Sequence, residues 1–522
     1  MKKKITVTKG NNEKEVKEVT YIPARYIFAI MLTVIETLGV IAIVSLITIY
    51  IPYFYIAVVI TQLVVAVAII NRNDNPDYKL PWLFFVMLVP IVGFMLYFMF
   101  YSRKLNKKQV ARLNGLTKRR VDKDDRAERD EIAREDPLAA SQAAILSKLT
   151  DSHVYGNTDI EYYPLGEELF AAIVDDLKAA EKFIFMEYFI IEGGIFWDTV
   201  LDVLKAKAAS GVEVRVVYDD IGCMTTLAGN YYKQLRKLGI AAVPFSRLRG
   251  QANNEFNNRS HRKITVIDGK IGYTGGVNIA DEYINRKQKY GHWKDVGLRL
   301  CGEAVNELTR LFLIDYGLNV KKSADDFDEY YGHEQHGCDG YCIPFGDGPK
   351  PVYARQASKT AIMNMLDQAK RYVYITTPYL IIDSELIHSL ENAALRGIDV
   401  RIITPHIPDK KLVFGMTRSN YPRLLDAGVK IYEYTPGFVH AKVVVSDDNK
   451  AVVGSINFDF RSLYHHFECA TYIYRNPVIG EIEADFQRTL ESCQEVTMEY
   501  YHSIPWYHRM IGKVLNFFAP LL

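Results

Sequence analysis

Residues 261–278 read HRKITVIDGKIGYTGGVN, and residues 440–457 read HAKVVVSDDNKAVVGSIN. Each stretch has a histidine, a lysine two positions later, an aspartate five positions after the lysine, and a glycine and an asparagine at matching offsets beyond it. The intervening residues are mostly apolar and β-branched, which predicts strands, and the glycine steps predict turns. Two copies with the same internal spacing are not accidental, so we expect two related halves that share one site.

The histidine and lysine of each copy point to the same face of an extended strand, because they are two residues apart. His261 with Lys263 and His440 with Lys442 would therefore offer two imidazoles and two ammonium groups to a common pocket. Such a set suits one phosphate group. The lysines neutralise its nonbridging oxygens in a charge-rich transition state. One histidine attacks phosphorus, and the other protonates the departing alkoxide and later deprotonates the incoming alcohol.

The motif pair resembles the phospholipase D superfamily, and four flanking segments are similar to bacterial cardiolipin synthases. These segments are Tyr273–Tyr283, Gly291–Asp295, Thr377–Tyr379 and Asn457–Ser462. The resemblance extends from the apolar region near residue 50 to the C-terminus. It implies transfer of a phosphatidyl group from one phosphatidylglycerol to another, with release of glycerol, through a covalent phosphatidyl-histidine. It also implies no metal and no other cofactor, because the lysines supply the positive charge.

The roles of the motif residues follow from this resemblance and from their positions. The motifs are symmetric, so the resemblance alone makes His261 the nucleophile and His440 the general acid and base. Asp268 and Asp447 count among the catalytic residues of the motif, yet their place near the strand ends favours bracing of the hairpins over contact with phosphate. Four residues of the following turns are expected to contact substrate: Gly276, Asn278, Ser455 and Asn457.

Two further carboxylates, Asp295 and Glu468, occupy comparable places after the two motifs. We expect them to hold the catalytic imidazoles, because a carboxylate bound to Nδ1 fixes the tautomer and stabilises the charged ring. The alternative is that both are ordinary surface carboxylates. The residues before Glu468 depart from the resemblance, since His465-His466 stands where Leu-Asn is expected, and this change could alter alcohol selectivity.

Other functions fit parts of the sequence. A phospholipase D-type hydrolase, or a phosphatidyltransferase that uses another alcohol, needs the same motifs. A nuclease, and hence a nucleic-acid partner, is disfavoured because the catalytic region lacks a basic groove with interleaved aromatic residues. A non-catalytic scaffold is disfavoured because every motif residue is kept. One group of metal-ligand types fits no common zinc module, which favours an ordinary loop: His333, His336, Cys338 and Cys342.

Three apolar stretches precede the motif region, at residues 27–49, 52–70 and 81–100. Each is about 20 residues long, enough to cross a hydrocarbon core, and Pro90 and Gly93 are tolerated inside a spanning helix. Glu36 in the first stretch would cost about 2.5–3.5 kcal/mol at the bilayer centre. That stretch therefore either spans with Glu36 protonated or paired, or lies at the interface.

A basic run follows the third stretch. It contains no acidic residue between positions 102 and 121 and has eight basic ones, Arg103, Lys104, Lys107, Lys108, Arg112, Lys118, Arg119 and Arg120. Such a run is typical of a segment that lies on the cytoplasmic side of the membrane and binds anionic lipid. We expect a multi-pass protein of the bacterial cell membrane with a cytoplasmic catalytic region and with phosphatidylglycerol and anionic lipids as partners. Three spans would put the lysine-rich N-terminus outside, so the sequence leaves open on which side of the membrane the N-terminus lies. It also leaves open whether the protein forms homo-oligomers.

The remaining sequence alternates helical patterns with short β-rich runs, and three of these runs recur in both halves, which predicts an α/β fold of two pseudo-symmetric phospholipase D-like sandwich halves. Within the first half, Ser246–Ser260 is an insertion relative to the second half, and we expect it either to cover the pocket or to form a surface loop. The C-terminal aromatic and basic residues predict an interfacial helix, with a helix packed into the core as the alternative.

The predicted divisions are a polar segment 1–26, two or three transmembrane helices in 27–101, a basic linker 102–159, a first half 160–330, a connector 331–350, a second half 351–500 and a membrane-surface segment 501–522.

Overall fold

The computed structural model describes residues 2–9, 13–20, 24–50, 52–101, 107–247, 257–320, 326–350, 353 and 355–521. They form two compact units. The first consists mainly of Met1–Ser102, and the second holds most of the chain from Arg103 onward. The predicted insertion Ser246–Ser260 falls largely outside the described residues.

The first unit begins with an antiparallel pair of strands and continues with four helices. Its elements are β1 (Lys2–Lys9), β2 (Glu13–Thr20), α1 (Ala24–Tyr50), α2 (Pro52–Ile70), α3 (Pro76–Leu88) and α4 (Pro90–Phe100). Within the described residues, α2 is the one helix long and apolar enough to cross a membrane, over Tyr53–Ile70. Shorter apolar helices cover Ile30–Leu46 and Pro90–Met99.

The prediction of one continuous span over 81–100 is wrong. The chain forms two helices there, α3 with 13 residues and α4 with 11, or roughly 20 Å and 16 Å at 1.5 Å per residue. The break is at Val89, whose backbone angles are φ −131° and ψ 78°. Pro90 causes it, because proline disfavours the helical conformation of the residue before it.

The second unit starts with three helices, α5 (Lys107–Thr117), α6 (Arg126–Glu135) and α7 (Pro137–Thr150). We expected a linker here. Instead Leu113 of α5 packs in the core that the two sheets share, and Ile132 and Leu146 pack in the core behind the second sheet. The apolar positions of these helices therefore make them part of the catalytic body.

The first half is built on a seven-stranded sheet with the order β3-β10-β8-β7-β4-β5-β6. Its elements are β3 (Thr158–Tyr163), α8 (Gly166–Ala179), β4 (Phe183–Tyr188), α9 (Ile195–Ala209), β5 (Glu213–Asp219), α10 (Tyr231–Lys237), β6 (Ala241–Phe245), β7 (Lys263–Ile267), β8 (Ile271–Gly275), β9 (His292–Lys294), β10 (Gly297–Gly302) and α11 (Val305–Asn319).

The second half repeats this architecture. Its elements are β11 (Tyr341–Asp347), α12 (Ala357–Gln368), β12 (Tyr372–Thr376), β13 (Leu380–Ile381), α13 (Ser384–Leu395), β14 (Asp399–Pro405), α14 (Lys411–Ser419), α15 (Tyr421–Asp426), β15 (Lys430–Tyr434), β16 (Gly437–Val439), β17 (Val443–Ser446), β18 (Lys450–Gly454), β19 (Phe458–Asp459), α16 (Phe460–Tyr464), β20 (Glu468–Tyr474), α17 (Val478–Leu490), β21 (Cys493–Val496), α18 (Met498–Ser503) and α19 (Trp506–Phe518). The sheet order is β11-β20-β18-β17-β12-β14-β15-β21. Its first seven strands match the first sheet position by position, which confirms the predicted pair of related α/β halves.

The alternation of side chains along the motif strands places the two sheets face to face. On β17, Val443 and Val445 pack in the core shared with Phe185 of β4 and Val266 of β7. Val444, between them, packs in the other core with residues of α12 and α13. Because successive strand residues point to opposite faces, both motif strands turn one face toward the junction of the halves.

Candidate active site

A backbone hydrogen bond joins each motif histidine to the opposite half of the second unit. The N–H of His261 donates to the carbonyl of Phe467 at 2.8 Å, and the N–H of His440 donates to the carbonyl of Lys294 at 2.7 Å. Strand β16, which ends just before His440, also pairs in parallel with β9. These exchanged contacts bring the two motifs together, so that His440 and Lys442 both act electrostatically on His261.

Each motif imidazole also lies beside a carboxylate from the opposite half. Nδ1 of His261 lies 2.9 Å from Glu468 Oε1 and 3.1 Å from the carbonyl oxygen of Ser455. Nδ1 of His440 lies 2.6 Å from Asp295 Oδ2. Both carboxylates are fully buried. Because Nδ1 of each ring is occupied in this way, Nε2 is the nitrogen left for chemistry.

The two lysines are buried beside the histidines. Lys263 Nζ donates to the carbonyl of its own motif histidine at 2.6 Å, and Lys442 Nζ contacts the carbonyl of His440 and lies 2.8 Å from its Nδ1. Burial lowers the pKa of Lys263 to about 8 and that of Lys442 to about 7, and the nearby carboxylates partly offset this effect. An anion bound between the lysines would restore their charge.

Burial also controls the other titrating groups of the site. It lowers the pKa of His261 and His440 well below the usual range, and the adjacent lysines add to the effect. Burial raises the pKa of Asp295 to about 6 and of Glu468 to about 7, against the lowering effect of the lysines. Burial and the adjacent lysines therefore favour the neutral form of both imidazoles, the state in which a histidine can attack as a nucleophile.

Asp268 and Asp447, which we grouped with the catalytic residues, lie away from the imidazoles at the opposite ends of β7 and β17. Asp268 accepts hydrogen bonds from the backbone amides of residues 181–183, at 2.7–2.8 Å. Asp447 accepts from the amides of residues 370–372, at 2.8–3.1 Å. Each carboxylate thus holds its own hairpin against the start of the neighbouring strand.

Three of the four residues expected at the substrate make internal contacts. A Cβ on Gly276 would overlap the carboxylate of Asp295. The hydroxyl of Ser455 contacts Glu468 Oε2 and accepts a hydrogen bond from the amide of Cys469 at 3.0 Å. Asn278 uses Oδ1 to accept from the Ile190 amide at 3.0 Å and Nδ2 to donate to the Tyr283 hydroxyl at 2.7 Å. These three residues shape or support the site.

Asn457 differs from its counterpart Asn278. Its Oδ1 is buried and has no hydrogen-bond partner within the described part of the chain. A buried acceptor without a partner costs free energy until a donor reaches it. Of the four residues, Asn457 is therefore the one whose contacts leave an acceptor for substrate.

Aromatic rings enclose both imidazoles. The ring of Phe189 is 5.0 Å from His261, and the rings of Tyr283, Trp293 and Phe438 are 5.3, 5.4 and 5.9 Å from His440. Sequence reasoning quoted Tyr283 and Trp293 as part of a resemblance without giving them a role, and it missed Phe189 and Phe438. Their positions in the sequence could have indicated them, because Phe189 directly follows β4 and Phe438 lies two residues before His440. Such rings exclude water, which strengthens the electrostatic interactions inside.

His466 is a second unusual feature of the site. Its ring lies 5.5 Å from that of His261, and its Nδ1 is 3.8 Å from Glu468 Oε1. Neither ring nitrogen has a hydrogen-bond partner among the residues described. Together with His261 and Glu468 it forms the one group in the described residues whose side chains are spaced as metal ligands. In the 333–342 segment, His336 lies 3.4 Å from Cys301, and Cys338 donates to the Thr158 carbonyl.

Comparisons with known proteins agree with this arrangement. A model described as "Cardiolipin synthase, PLD-like domain" matches residues 173–293 and 362–490, which include the two motifs. A second, "Phospholipase_D-nuclease N-terminal", matches residues 60–100.

Similar sequences and folds occur in several bacteria. A cardiolipin synthase of Halalkalibacterium halodurans is 32% identical over 90% of this chain and 94% of its own length. One of Geobacillus kaustophilus is 34% identical over 88% of this chain and 91% of its own. The crystal structure of a phosphatidylserine synthase of Haemophilus influenzae shares the fold, with a TM-score of 0.56 at 17% identity over 73% of this chain and 97% of that one.

Proposed function

The chain belongs to the cardiolipin synthase family of phospholipase D-like enzymes and is a phosphatidyltransferase, and from this premise we propose that it joins two phosphatidylglycerol molecules into cardiolipin and glycerol. The observation that carries the proposal is the pairing of two imidazoles with carboxylates of the opposite half beside two buried lysines. This arrangement offers an attacking group, a proton carrier and positive charge to one phosphodiester.

In the first step of the proposed reaction, Nε2 of His261 attacks phosphorus of the donor phosphatidylglycerol. The bond between phosphorus and the glycerol oxygen breaks, and His440 in its protonated form gives its proton to that oxygen. Bound phosphate favours the protonated ring, because a nearby negative charge raises the pKa of an imidazole. Lys263 and Lys442 neutralise the charge on the nonbridging oxygens.

In the second step, the now neutral His440 removes the proton from a hydroxyl of the second phosphatidylglycerol. That oxygen attacks phosphorus, the bond from phosphorus to His261 breaks, and cardiolipin leaves. Glu468 supports this cycle by holding Nδ1 of the nucleophile while its Nε2 carries the phosphatidyl group. The aromatic rings beside both imidazoles support transfer to an alcohol over transfer to water, since they limit the access of water.

We further propose that the protein is a multi-pass protein of the bacterial cell membrane with its catalytic region in the cytoplasm. The family acts on membrane phospholipids, so both substrates reside in a bilayer. The apolar helix α2 and the basic residues of 103–120 support this placement, because basic segments beside membrane helices stay on the cytoplasmic side and attract anionic lipid.

Helix α19 is proposed to dock on an anionic bilayer. Trp506, Met510 and Val514, one helical turn apart, are exposed by 65%, 50% and 54%. The opposite side of α19 is closed, because Gly512 packs directly on Gly415 of α14. Neither 410–419 nor 500–522 contains an acidic residue. An exposed apolar face with basic flanks is typical of an interfacial helix.

This docking face is linked to the site through α14. Lys410, directly before α14, is close enough for its charge to lower the pKa of His440. A bilayer that contacts α19 would therefore lie near the catalytic histidines, where a lipid phosphate must reach them.

Purified protein supplied with vesicles of labelled phosphatidylglycerol tests the proposal. We expect cardiolipin and free glycerol in equal amounts, and neither product from His261→Ala. Phosphatidate as the main product would instead show a hydrolase. A different phosphatidyl ester formed in preference to cardiolipin, when other alcohols are added, would show another acceptor.

A further inference from the structure

We infer that α3 and α4 form a re-entrant hairpin, which enters the bilayer and returns to the same face without crossing it. The two helices run back along each other. The hydroxyl of Tyr78, near the start of α3, donates to the carbonyl of Tyr101, just after α4, at 3.2 Å. One turn further along, the ring of Trp82 lies 5.8 Å from that of Tyr97. Contacts between the start of one helix and the end of the next require an antiparallel pair.

The tip of this hairpin is apolar and exposed. Met87, Leu88 and Val89 are exposed by 48%, 64% and 39%. A turn that faces water is normally rich in glycine, proline, asparagine, aspartate and serine, so this tip matches a hydrocarbon environment. The turn is also tight, because a Cβ on Gly93 would overlap the carbonyl of Phe85.

A side chain of α2 satisfies the carbonyl groups that the helix break sets free. Nε2 of Gln62 donates to the carbonyls of Val86 and Met87 at 3.1 and 2.8 Å, and Gln62 is buried. Irregular backbone at membrane depth is tolerated only where protein supplies the missing hydrogen bonds. Gln62 lies in the middle of the apolar segment Tyr53–Ile70, so the tip is at the mid-depth of α2.

The two ends of the hairpin are fastened at the same end of α2. Nζ of Lys79 donates to the carbonyls of Ile70 and Arg72 at 3.0 Å. The hydroxyl of Tyr101 donates to Asp74 at 2.6 Å, and the Arg72 guanidinium lies 4.5 Å from the Tyr101 ring centre. From Gln62 to Ile70 the helix rises about 12 Å at 1.5 Å per residue, less than half of a hydrocarbon core of about 30 Å.

The consequence concerns which parts of the chain share a side. If α1 and α2 cross and the hairpin does not, the chain crosses twice. The segment after Tyr101 then starts on the same side as the N-terminus. The lysines of residues 2–17 and the basic residues of 103–120 both lie on the cytoplasmic side, as the distribution of positive charge requires. Three crossings would place one of these two groups outside.

Cysteine labelling in intact cells tests the hairpin. The variants are Tyr53→Cys at the start of α2, Asn73→Cys between α2 and α3, Lys108→Cys after α4, and Leu88→Cys at the tip. A membrane-impermeant maleimide of high mass is added before or after the membrane is permeabilised, and each additional label is counted against the parent chain. Retained cardiolipin synthesis shows that a variant is folded.

We expect Tyr53→Cys to be labelled in intact cells, and Asn73→Cys and Lys108→Cys only after permeabilisation. Leu88→Cys should be labelled only in detergent. Labelling of Asn73→Cys and Lys108→Cys from opposite sides would overturn the inference, because residues 81–100 would then cross the membrane. Labelling of Leu88→Cys by the aqueous reagent in an intact membrane would also overturn it.

Discussion

The carboxylate of Glu468 lies 2.9 Å from Nδ1 of His261, although the two residues belong to different halves of the catalytic unit. Asp295 stands in the reciprocal relationship to His440, at 2.6 Å. Each half therefore supplies a histidine and a lysine to the site and orients the histidine of the other half. Neither half contains the complete set of proposed catalytic residues, so the two sheets must be assembled before either imidazole is oriented.

Replacing these carboxylates should slow the reaction more than it weakens binding. We expect Glu468→Gln and Asp295→Asn each to reduce kcat by about 10- to 100-fold or more, because the imidazole loses the group that orients it and stabilises its charged form. KM for phosphatidylglycerol should change little. Steady-state assays measure this, with the exposed Glu495→Gln as the control. If both variants keep kcat within about twofold, the carboxylates do not act in this way.

The pH profile of kcat/KM should be narrow and bell-shaped. The acidic limb reports protonation of Asp295 and Glu468, whose pKa values are about 6 and about 7. The basic limb reports loss of charge from Lys442 and Lys263, with pKa values of about 7 and about 8, together with loss of the proton that His440 gives to the leaving oxygen. These groups interact, so the limbs belong to the coupled set.

The variant Asp295→Asn should shift the basic limb of this pH profile in a defined direction. Burial lowers the pKa of Lys442, and the Asp295 charge is the largest effect that opposes it. Removing that charge should lower the pKa of Lys442 further and move the basic limb toward lower pH. Assays on a short-chain soluble substrate separate this shift from effects on vesicles. A basic limb that stays in place would contradict the role of Lys442.

A methyl group on Gly276 should disturb the orientation of His440. The Cβ of Gly276→Ala would overlap the carboxylate of Asp295, which must move away from His440. We expect kcat to fall by about 10- to 100-fold while the protein stays folded. Gly193→Ala is the matched control, because an added Cβ there meets nothing within 4 Å. Similar activity in the two variants would mean that Asp295 can shift without consequence.

Charged side chains on the apolar face of α19 should reduce enzymatic activity on bilayer substrates only. We expect the triple variant Trp506→Glu, Met510→Glu, Val514→Glu to lose at least about tenfold in activity on anionic vesicles, because the apolar area it would bury in the interface becomes charged. Its activity on a short-chain soluble substrate should stay within about twofold of the parent.

The matched control for this variant is Leu395→Glu, since Leu395 is an exposed apolar residue at the end of α13. It should retain activity on both substrates. Equal losses on vesicles and on the soluble substrate in the triple variant would show that α19 serves the fold rather than a membrane surface.

The sequence by itself determined the two-half architecture and predicted the members of the proposed reactive group. The spacing of His261 and Lys263, repeated at His440 and Lys442, is a local pattern that any extended strand converts into a shared face. The mostly apolar, β-branched residues that follow each histidine and lysine likewise predict the motif strands.

The tertiary structure alone decided which carboxylate serves which histidine, and which apparent membrane span turns back. The partner of His261 depends on how two sheets pack, and this information is absent from the periodicity of either. The length of an apolar stretch does not show whether the chain continues straight or reverses within it, so the sequence predicted one span over residues 81–100. The hydrogen bonds of Gln62 and the contact of Tyr78 with Tyr101 show that the chain reverses there. Local patterns are set by the geometry of one strand or helix, whereas these pairings arise from contacts between residues far apart in the chain.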